Sequence, residues 1–252
     1  MAEALPTDLN GWALFIDIDG TLIDLAPTPT SIEIPPELSL QLLVVSERAA
    51  GALALVTGRS IEAVDAMFYP QQFAVAGMHG AEIRSASGAL NRKQIDRMSF
   101  AHARAALTEL AGHWPGLIVE DKGLAIAVHY RQNPGAADAV HARMTSLQAE
   151  LGREWKLQRG KMVVELHPSG VGKGAAMAGL MADAPFKGKK PLAIGDDLTD
   201  EAMFDVANRC DGRSVRVGES AYESAARFKV GSAAEVRRWV AGLAKAGRRP
   251  SF

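Results

Sequence analysis

Two carboxylates one residue apart, Asp17 and Asp19, close an apolar run and are followed by Gly20 and Thr21. If the run is a strand, alternation sends both acids to one side, and the glycine permits a sharp departure of the backbone. A second acidic group, Gly195-Asp196-Asp197-Leu198-Thr199-Asp200-Glu201, ends another apolar run. Thr57-Gly58-Arg59-Ser60 ends a third, and Gly172-Lys173 opens a segment of helical periodicity. Several carboxylates gathered in one place repel one another unless a cation intervenes. Oxygen ligands without Cys or His point to a hard cation, and Mg²⁺ is the usual one where a phosphate shares the site. Thr57 adds a hydroxyl and backbone N–H groups. Lys173 adds an ammonium at a helix start, a good receptor for a phosphoryl group. A nucleophilic carboxylate, a second carboxylate, a cation, a lysine and a hydroxyl are the parts of phosphoryl transfer through an aspartyl phosphate.

The difficulty of that chemistry explains the number of parts. Enzymes accelerate phosphate monoester hydrolysis by up to ~10²¹-fold, about 29 kcal/mol of barrier. General acid–base help supplies only about 10²–10⁴ of it. The remainder must come from fixed charge around the phosphoryl group.

Periodicity supplies elements that would bring these residues together. An opening strand at 12–16 leads into a Pro- and Thr-rich loop over 24–36, with Pro27, Pro29, Pro35 and Pro36. Pro36 is placed to start a helix that runs to about residue 50. Strands at 52–56 and 73–76 flank a helix at 61–67, for which Ser60 is the N-cap. This order of strands and helices predicts a parallel sheet with right-handed crossovers. After Gly88 the pattern changes: helices at 98–111 and 136–151, strands at 124–130 and 161–166, the mark of a small α+β insert. From 171 the first pattern resumes, with a helix at 173–181, a strand at 191–194, a strand around Val215 and Val217, and a last helix at 233–243. The expected division is 1–88 and 170–252 for a Rossmann-like parallel-sheet core and 89–169 for the insert. In such a sheet the four polar loops, Gly77-Met78-His79-Gly80 included, emerge at one edge, where ligands of open parallel sheets bind.

Composition narrows the partners. The chain has 252 residues, 48% of them hydrophobic and 23% charged, with a formal net charge of −1. That balance gives no electrostatic reason to expect nucleic acid or an anionic membrane. The single cysteine, Cys210, excludes an intramolecular disulfide and suits a reducing compartment. The opening MAEALPTDLN lacks the basic and apolar regions of a secretory signal, and no apolar run approaches the ~20 residues of a membrane span. A cytoplasmic protein without membrane partners is expected, its oligomeric state unread. Arg248 and Arg249 read as a solvated basic end.

The ordered motifs resemble the haloacid dehalogenase superfamily of phosphohydrolases, whose four motifs are matched by DIDGT (17–21), the Thr57 loop, Lys173 and GDDLTDE (195–201). The finer detail is similar to the trehalose-6-phosphate phosphatases: TGRS (57–60), AGMHGAEIR (76–84), VEDKGLAIAVHYR (119–131), RGKMVVELHP (159–168) and GKG (172–174). The resemblance runs from Trp12 to about Gly218. It implies a haloacid dehalogenase core with an inserted α+β cap. The implied activity is Mg²⁺-assisted hydrolysis of trehalose 6-phosphate to trehalose and inorganic phosphate, in trehalose biosynthesis. It implies Asp17 as nucleophile and metal ligand. Asp19 is implied as general acid/base and, through its backbone carbonyl, as a second ligand. Thr57 and Lys173 would hold the phosphoryl oxygens. Asp196 would complete the metal site, with Asp197 or Asp200 behind it. In the insert it implies that Glu120, Lys122, Arg159, Lys161 and Glu165 face the sugar hydroxyls. Arg59 and His79 join them as substrate-binding candidates, although a loop histidine is more often simply satisfied. The family more often has Ser where this chain has Thr57, and both supply a hydroxyl.

The insert also has a reading of its own. On the strand at 161–166, alternation puts Met162, Val164 and Leu166 on a core face and Lys161, Val163 and Glu165 on the other. Such a charged face is either solvated or turned to a polyhydroxylated ligand.

Three rivals are weighed. Another sugar phosphate, such as sucrose 6-phosphate, is the alternative substrate. Gly170-Val-Gly172-Lys-Gly-Ala175 fits the dinucleotide fingerprint, with Asp196 and Asp197 about twenty residues on, which would make the chain a NAD-dependent oxidoreductase. That reading leaves the other three loops without a task. A sugar-phosphate sensor would have no need of Asp19. A P-loop is excluded, since residue 167 is His and residue 174 is Gly.

Overall fold

The computed structural model describes residues 4–25, 32–160, 162–219 and 222–246. Pro27 and Pro29 of the proline-rich loop, Lys161, and Arg248 and Arg249 lie outside the described residues.

The chain divides into two compact units, residues 1–91 with 172–252, and residues 92–171. The crossings fall two to three residues beyond the 88/89 and 169/170 expected from the sequence. The first crossing lies in a strand that the sequence pattern did not reveal.

In the first half of the larger unit come β1 (Trp12–Ile16), α1 (Leu38–Arg48), β2 (Leu53–Val56), α2 (Ile61–Phe68), β3 (Ala74–Gly77), β4 (Glu82–Arg84) and β5 (Leu90–Arg92). The smaller unit holds α3 (Arg97–His113), β6 (Ile118–Asp121), β7 (Ile126–His129), α4 (Ala137–Leu151), β8 (Trp155–Gly160) and β9 (Val163–Pro168). The chain then returns through α5 (Lys173–Met181), β10 (Lys190–Gly195), α6 (Glu201–Arg209), β11 (Arg213–Val217), β12 (Phe228–Val230) and α7 (Ala233–Ala246). The helix expected from Pro36 begins at Leu38. Ala50 and Gly51, both at positive φ (52° and 80°), turn the chain out of it.

Among the described residues, eight strands make one sheet in the order β12-β11-β10-β1-β2-β3-β4-β5. The pairs from β12 to β3 are parallel, and β4 joins β3 antiparallel. Uniformly apolar strands suit this arrangement because both faces are covered. Alternation sorts the side chains: Leu14, Ile16, Leu53, Leu55, Val75, Leu192 and Ile194 pack on α1, α2 and α7. Ala13, Phe15, Ala54, Val56, Ala74, Ala76 and Ala193 pack on α5 and α6. The second face is mostly alanine, which lets helices approach closely, and Phe15 fills the remaining volume against Phe186 with ring centroids 5.3 Å apart. Each fully buried Leu, Ile or Phe contributes about 1.5–3 kcal/mol.

This order fixes the place of chemistry. From β1 the chain moves outward to β2 and β3, then returns to the other side of β1 as β10. The gap beyond the carboxyl ends of β1 and β10 is the switch point where open parallel sheets bind ligands. Asp17 directly follows β1, and Asp196 directly follows β10.

The smaller unit is an antiparallel sheet, β6-β7-β9-β8. Val128, Val164 and Leu166 are buried in a core with Phe100, Leu107, Val140, Met144 and Trp155, and Met162 packs against it. The fingerprint at 170–175 therefore does not sit in a βαβ unit. The strand before it, β9, belongs to this antiparallel sheet, so the structural context of a dinucleotide site is missing. Among the described residues no helix is long and apolar enough to cross a membrane.

Candidate active site

Lys173 is the first residue of α5, and its side chain is buried at the centre of the acidic group. Its Nζ donates to Asp17 Oδ1 at 2.7 Å and to Asp200 Oδ1 at 2.7 Å. Asp200 in turn shapes the loop after β10. Its Oδ2 accepts from the backbone N–H groups of Asp196 (3.0 Å) and Asp197 (3.1 Å). Asp197 and Asp200 close a reciprocal capping box at the entry to α6, with Asp197 Oδ1 taking the Thr199 N–H and hydroxyl. The loop is thus folded by its own carboxylates, which leaves Asp196 to point back at β1. Ligand atoms of Asp17, Asp196 and Asp200 lie within 4.8 Å of one another.

The loop after β1 is equally tight. Gly20 has φ +82°, and a Cβ there would stand 2.2 Å from Asp196 Oδ2, so only glycine allows the two loops to meet. Thr21 Oγ1 donates to Asp196 Oδ1 across 3.5 Å. Asp19 is the more open of the two acids, and Arg59 grips it from the loop after β2. Nε donates to Oδ2 at 2.7 Å and Nη2 to Oδ1 at 2.6 Å. Thr57 is fully buried, and its Oγ1 accepts the Arg59 N–H at 3.1 Å, which ties the threonine and the arginine into one turn.

His79 stands behind this turn. Its N–H donates to Thr57 O at 2.9 Å, its φ is +54°, and its ring lies so close to Gly58 that a Cβ there would be 2.7 Å from Nε2. The structure places it as a brace for the Thr57–Arg59 turn.

The electrostatics follow from burial. Desolvation pushes the Asp17 carboxyl well up, with Lys173 pulling against it and Asp200, Asp196 and Asp197 adding to it. Burial likewise raises Asp196 to about 7 and Asp200 to about 6, helped by their acidic neighbours. Asp197 is held low: against its burial, Lys173 and the bonds from Thr199 keep it charged. The Lys173 ammonium is held charged against its burial by Asp17 and Asp200.

This chain matches the model of the trehalose-phosphatase family over residues 15–233. It is 44% identical to a Sinorhizobium fredii protein named "Probable trehalose-phosphate phosphatase" over 96% of this chain and 91% of that one. The chain belongs to the trehalose-phosphatase family. It is also 38% identical to the trehalose-6-phosphate phosphatase of Escherichia coli, over 91% of this chain and 85% of that one. Among solved structures, a trehalose-6-phosphate phosphatase related protein overlays with a TM-score of 0.77 at 27% identity, covering 93% of this chain and 98% of the other. A haloacid dehalogenase-like hydrolase from Bacteroides thetaiotaomicron overlays with a TM-score of 0.63 at 18% identity, over 94% and 98% of the two chains. The fold of this family member is the haloacid dehalogenase core with an inserted α+β cap.

In the cap, strand register decides which candidates share a face. Glu120 is opposite Ala127, Ala127 opposite Glu165, and Glu165 opposite Gln158, so these four form one row. Lys122 joins it, its Nζ donating to Glu165 Oε2 at 2.5 Å. His129 Nε2 meets Glu120 Oε2 at 2.9 Å on the same face. Arg159 does not join them: it is opposite Val164, a core residue, and alternation sends it to the helix-covered side. His129 and Gln158, which the sequence reading did not single out, share this face. The alternation in residues 124–130 carried the signal for His129, but without β8 there was no register from which to place Gln158.

The residues of the main site fit a hard divalent cation. The donors are all carboxylate oxygen, Gly20 leaves the space beside Asp196 that any side chain would fill, and the raised carboxyls of Asp17 and Asp196 need an opposing charge. A pH dependence follows. Both Asp196 (about 7) and Asp200 (about 6) lie above the ordinary 3.8, so the cation-free fold loses stability as pH rises from about 4 through 7. A divalent cation taken up by these carboxyls would compete with those protons and stabilise the folded state by mass action. The Mg²⁺-induced rise in melting temperature is therefore expected to be larger at pH 8 than at pH 5.5. Equal shifts at the two pH values, read by differential scanning fluorimetry, would remove the carboxyls from the cation site.

Proposed function

We propose that this protein hydrolyses trehalose 6-phosphate to trehalose and inorganic phosphate, with Asp17 as the attacking carboxylate. The observation that carries the reading is the Lys173 ammonium held between Asp17 and Asp200, with Asp196 alongside, at the switch point of a trehalose-phosphatase core. Asp17 Oδ forms a bond to phosphorus as the bond from phosphorus to the sugar oxygen breaks. Asp19, whose two oxygens accept from Arg59 in the free protein, leaves that fork and takes up a proton, which it passes to the departing oxygen. In the second half Asp19 takes a proton from water, whose oxygen attacks the aspartyl phosphate, releasing phosphate and restoring Asp17. Lys173 and the Thr57 hydroxyl hold the phosphoryl oxygens. A Mg²⁺ ion held by Asp17, Asp196 and the Asp19 carbonyl would balance the charge that builds on those oxygens. Asp200 and Asp197 keep the loop of Asp196 in shape.

The sugar hydroxyls are assigned to the charged face of the cap, chiefly Glu120, Lys122 and Glu165, with hydrogen-bonding capacity matched to a polyol. The free Cys210 suits the cytoplasm as the place of action. A panel of sugar phosphates, assayed for phosphate release with Mg²⁺ and with EDTA, tests the reading. Trehalose 6-phosphate is expected to be preferred over glucose 6-phosphate and sucrose 6-phosphate by at least about tenfold in kcat/KM, with activity lost in EDTA. Equal turnover of the three would refute the substrate, and turnover in EDTA the cation.

A further inference from the structure

Asp196 is gripped from a side that the catalytic residues do not occupy. Arg216, on β11, is nearly fully buried. Its Nη2 donates to the backbone carbonyl of Asp196 at 2.5 Å, and its Nη1 to Glu201 Oε1 at 3.2 Å and the Tyr222 hydroxyl at 2.7 Å. The guanidinium also lies over the Tyr222 ring, 4.7 Å from its centroid. Glu201, the first residue of α6, is itself pinned: Oε1 accepts from Ser224 Oγ and Oε2 from the Ala225 N–H, both at 2.7 Å. The peptide units on either side of Asp196 Cα are thus clamped by two different groups. Asp200 holds the Asp196 N–H, and Arg216 holds its carbonyl.

Among the described residues, Arg216 Nε is buried with no hydrogen-bond partner, so the guanidinium is seated at a cost. A strand residue needed only for packing would be met more cheaply by an apolar side chain, as Val215 and Val217 show on either side. The two prongs of the fork reach the Asp196 carbonyl near the start of the acidic segment and the Glu201 carboxylate at its end, a span that suits arginine's planar geometry.

We infer that Arg216 is a positioning residue for the divalent cation, acting through the Asp196 carbonyl to aim the Asp196 carboxylate. Groups that orient a metal ligand are typically worth ~10–100-fold in metal affinity. The inference rests on the cation reading above, and titration of the protein with Mg²⁺ alone separates the two. Isothermal titration calorimetry is run on the wild-type protein, Arg216→Lys and Tyr222→Phe, with Arg84→Lys as a control. Arg84 is a second buried arginine, bound to Asp65 on the same unit and remote from the acidic loop. Arg216→Lys keeps the charge but loses the fork, and its Mg²⁺ dissociation constant is expected to rise at least tenfold. Tyr222→Phe, which removes one bond from a partly exposed hydroxyl, is expected to show a rise of two- to fivefold. Arg84→Lys is expected to bind Mg²⁺ like the wild type. If Arg216→Lys does not fold, Tyr222→Phe decides. Wild-type affinity in a folded Arg216→Lys, or in Tyr222→Phe where the lysine variant does not fold, overturns the inference, as does equal weakening in Arg84→Lys. A wild-type protein that binds no Mg²⁺ overturns the cation reading instead.

Discussion

Asp17→Asn is expected to fold normally and to release phosphate from trehalose 6-phosphate at least about 10⁴-fold more slowly than the wild type. The amide has the shape of the carboxylate, and its oxygen can take over the Lys173 bond now accepted by Asp17 Oδ1. It cannot form a covalent bond to phosphorus on its own account, so the step that divides the reaction is lost. Stability moves the other way. Asp17 sits buried among Asp196, Asp197 and Asp200, which raise the cost of its charge, so the neutral amide relieves repulsion and a melting temperature equal to or above wild type is expected. Kinetics of phosphate release and a thermal melt on the same preparation check both halves. Turnover within a hundredfold of wild type in a folded variant would take the nucleophile's role from Asp17.

The parts of the site that the sequence made legible are those that follow a strand directly. Asp17 and Asp196 each come straight after a short, wholly apolar run, and strand period together with parallel topology puts both at one edge. Lys173 was visible for a similar reason, being the first residue of a helix whose bounds the pattern predicts as 173–181. What stayed hidden depends on side chains reaching across the sheet. Nothing in Thr57-Gly-Arg-Ser marks Arg59 for Asp19, forty positions earlier, because a long side chain has many possible partners before the fold is known. Arg216, inside the strand sequence Arg-Ser-Val-Arg-Val, reads as an ordinary alternating residue. The same holds for β8: Trp155–Gly160 carries Lys156, Gln158 and Arg159, so its periodicity is weak, and tertiary pairing with β9 makes it a strand. Since β8 sets the register of Arg159, the error in that residue's face came with the missed strand.

Lys173→Met is expected to cost the cation-free protein about 3–5 kcal/mol at pH 8, the loss typical when one partner of a buried charge cluster is removed. The lysine is the counter-charge for two buried acids at once, donating to each at 2.7 Å, and its side chain is 3% exposed. Methionine fills nearly the same volume, so packing changes little. What remains is Asp17 and Asp200 facing each other and Asp196 with no cation between them. These acids already lie above their ordinary range, Asp196 at about 7 and Asp200 at about 6, and without the ammonium they rise further. The sign follows from linkage. A carboxyl raised in the folded state costs nothing while protonated, and the cost appears as pH climbs from the unfolded value through the folded one. At pH 5.5 the variant meets most of the change by taking up protons, so its loss there should be less than half that at pH 8. Urea denaturation of wild type and Lys173→Met at the two pH values, in EDTA, measures both differences. A loss independent of pH would mean that Lys173 acts through packing. A loss confined to high pH would mean that its charge holds the three acidic groups in one place.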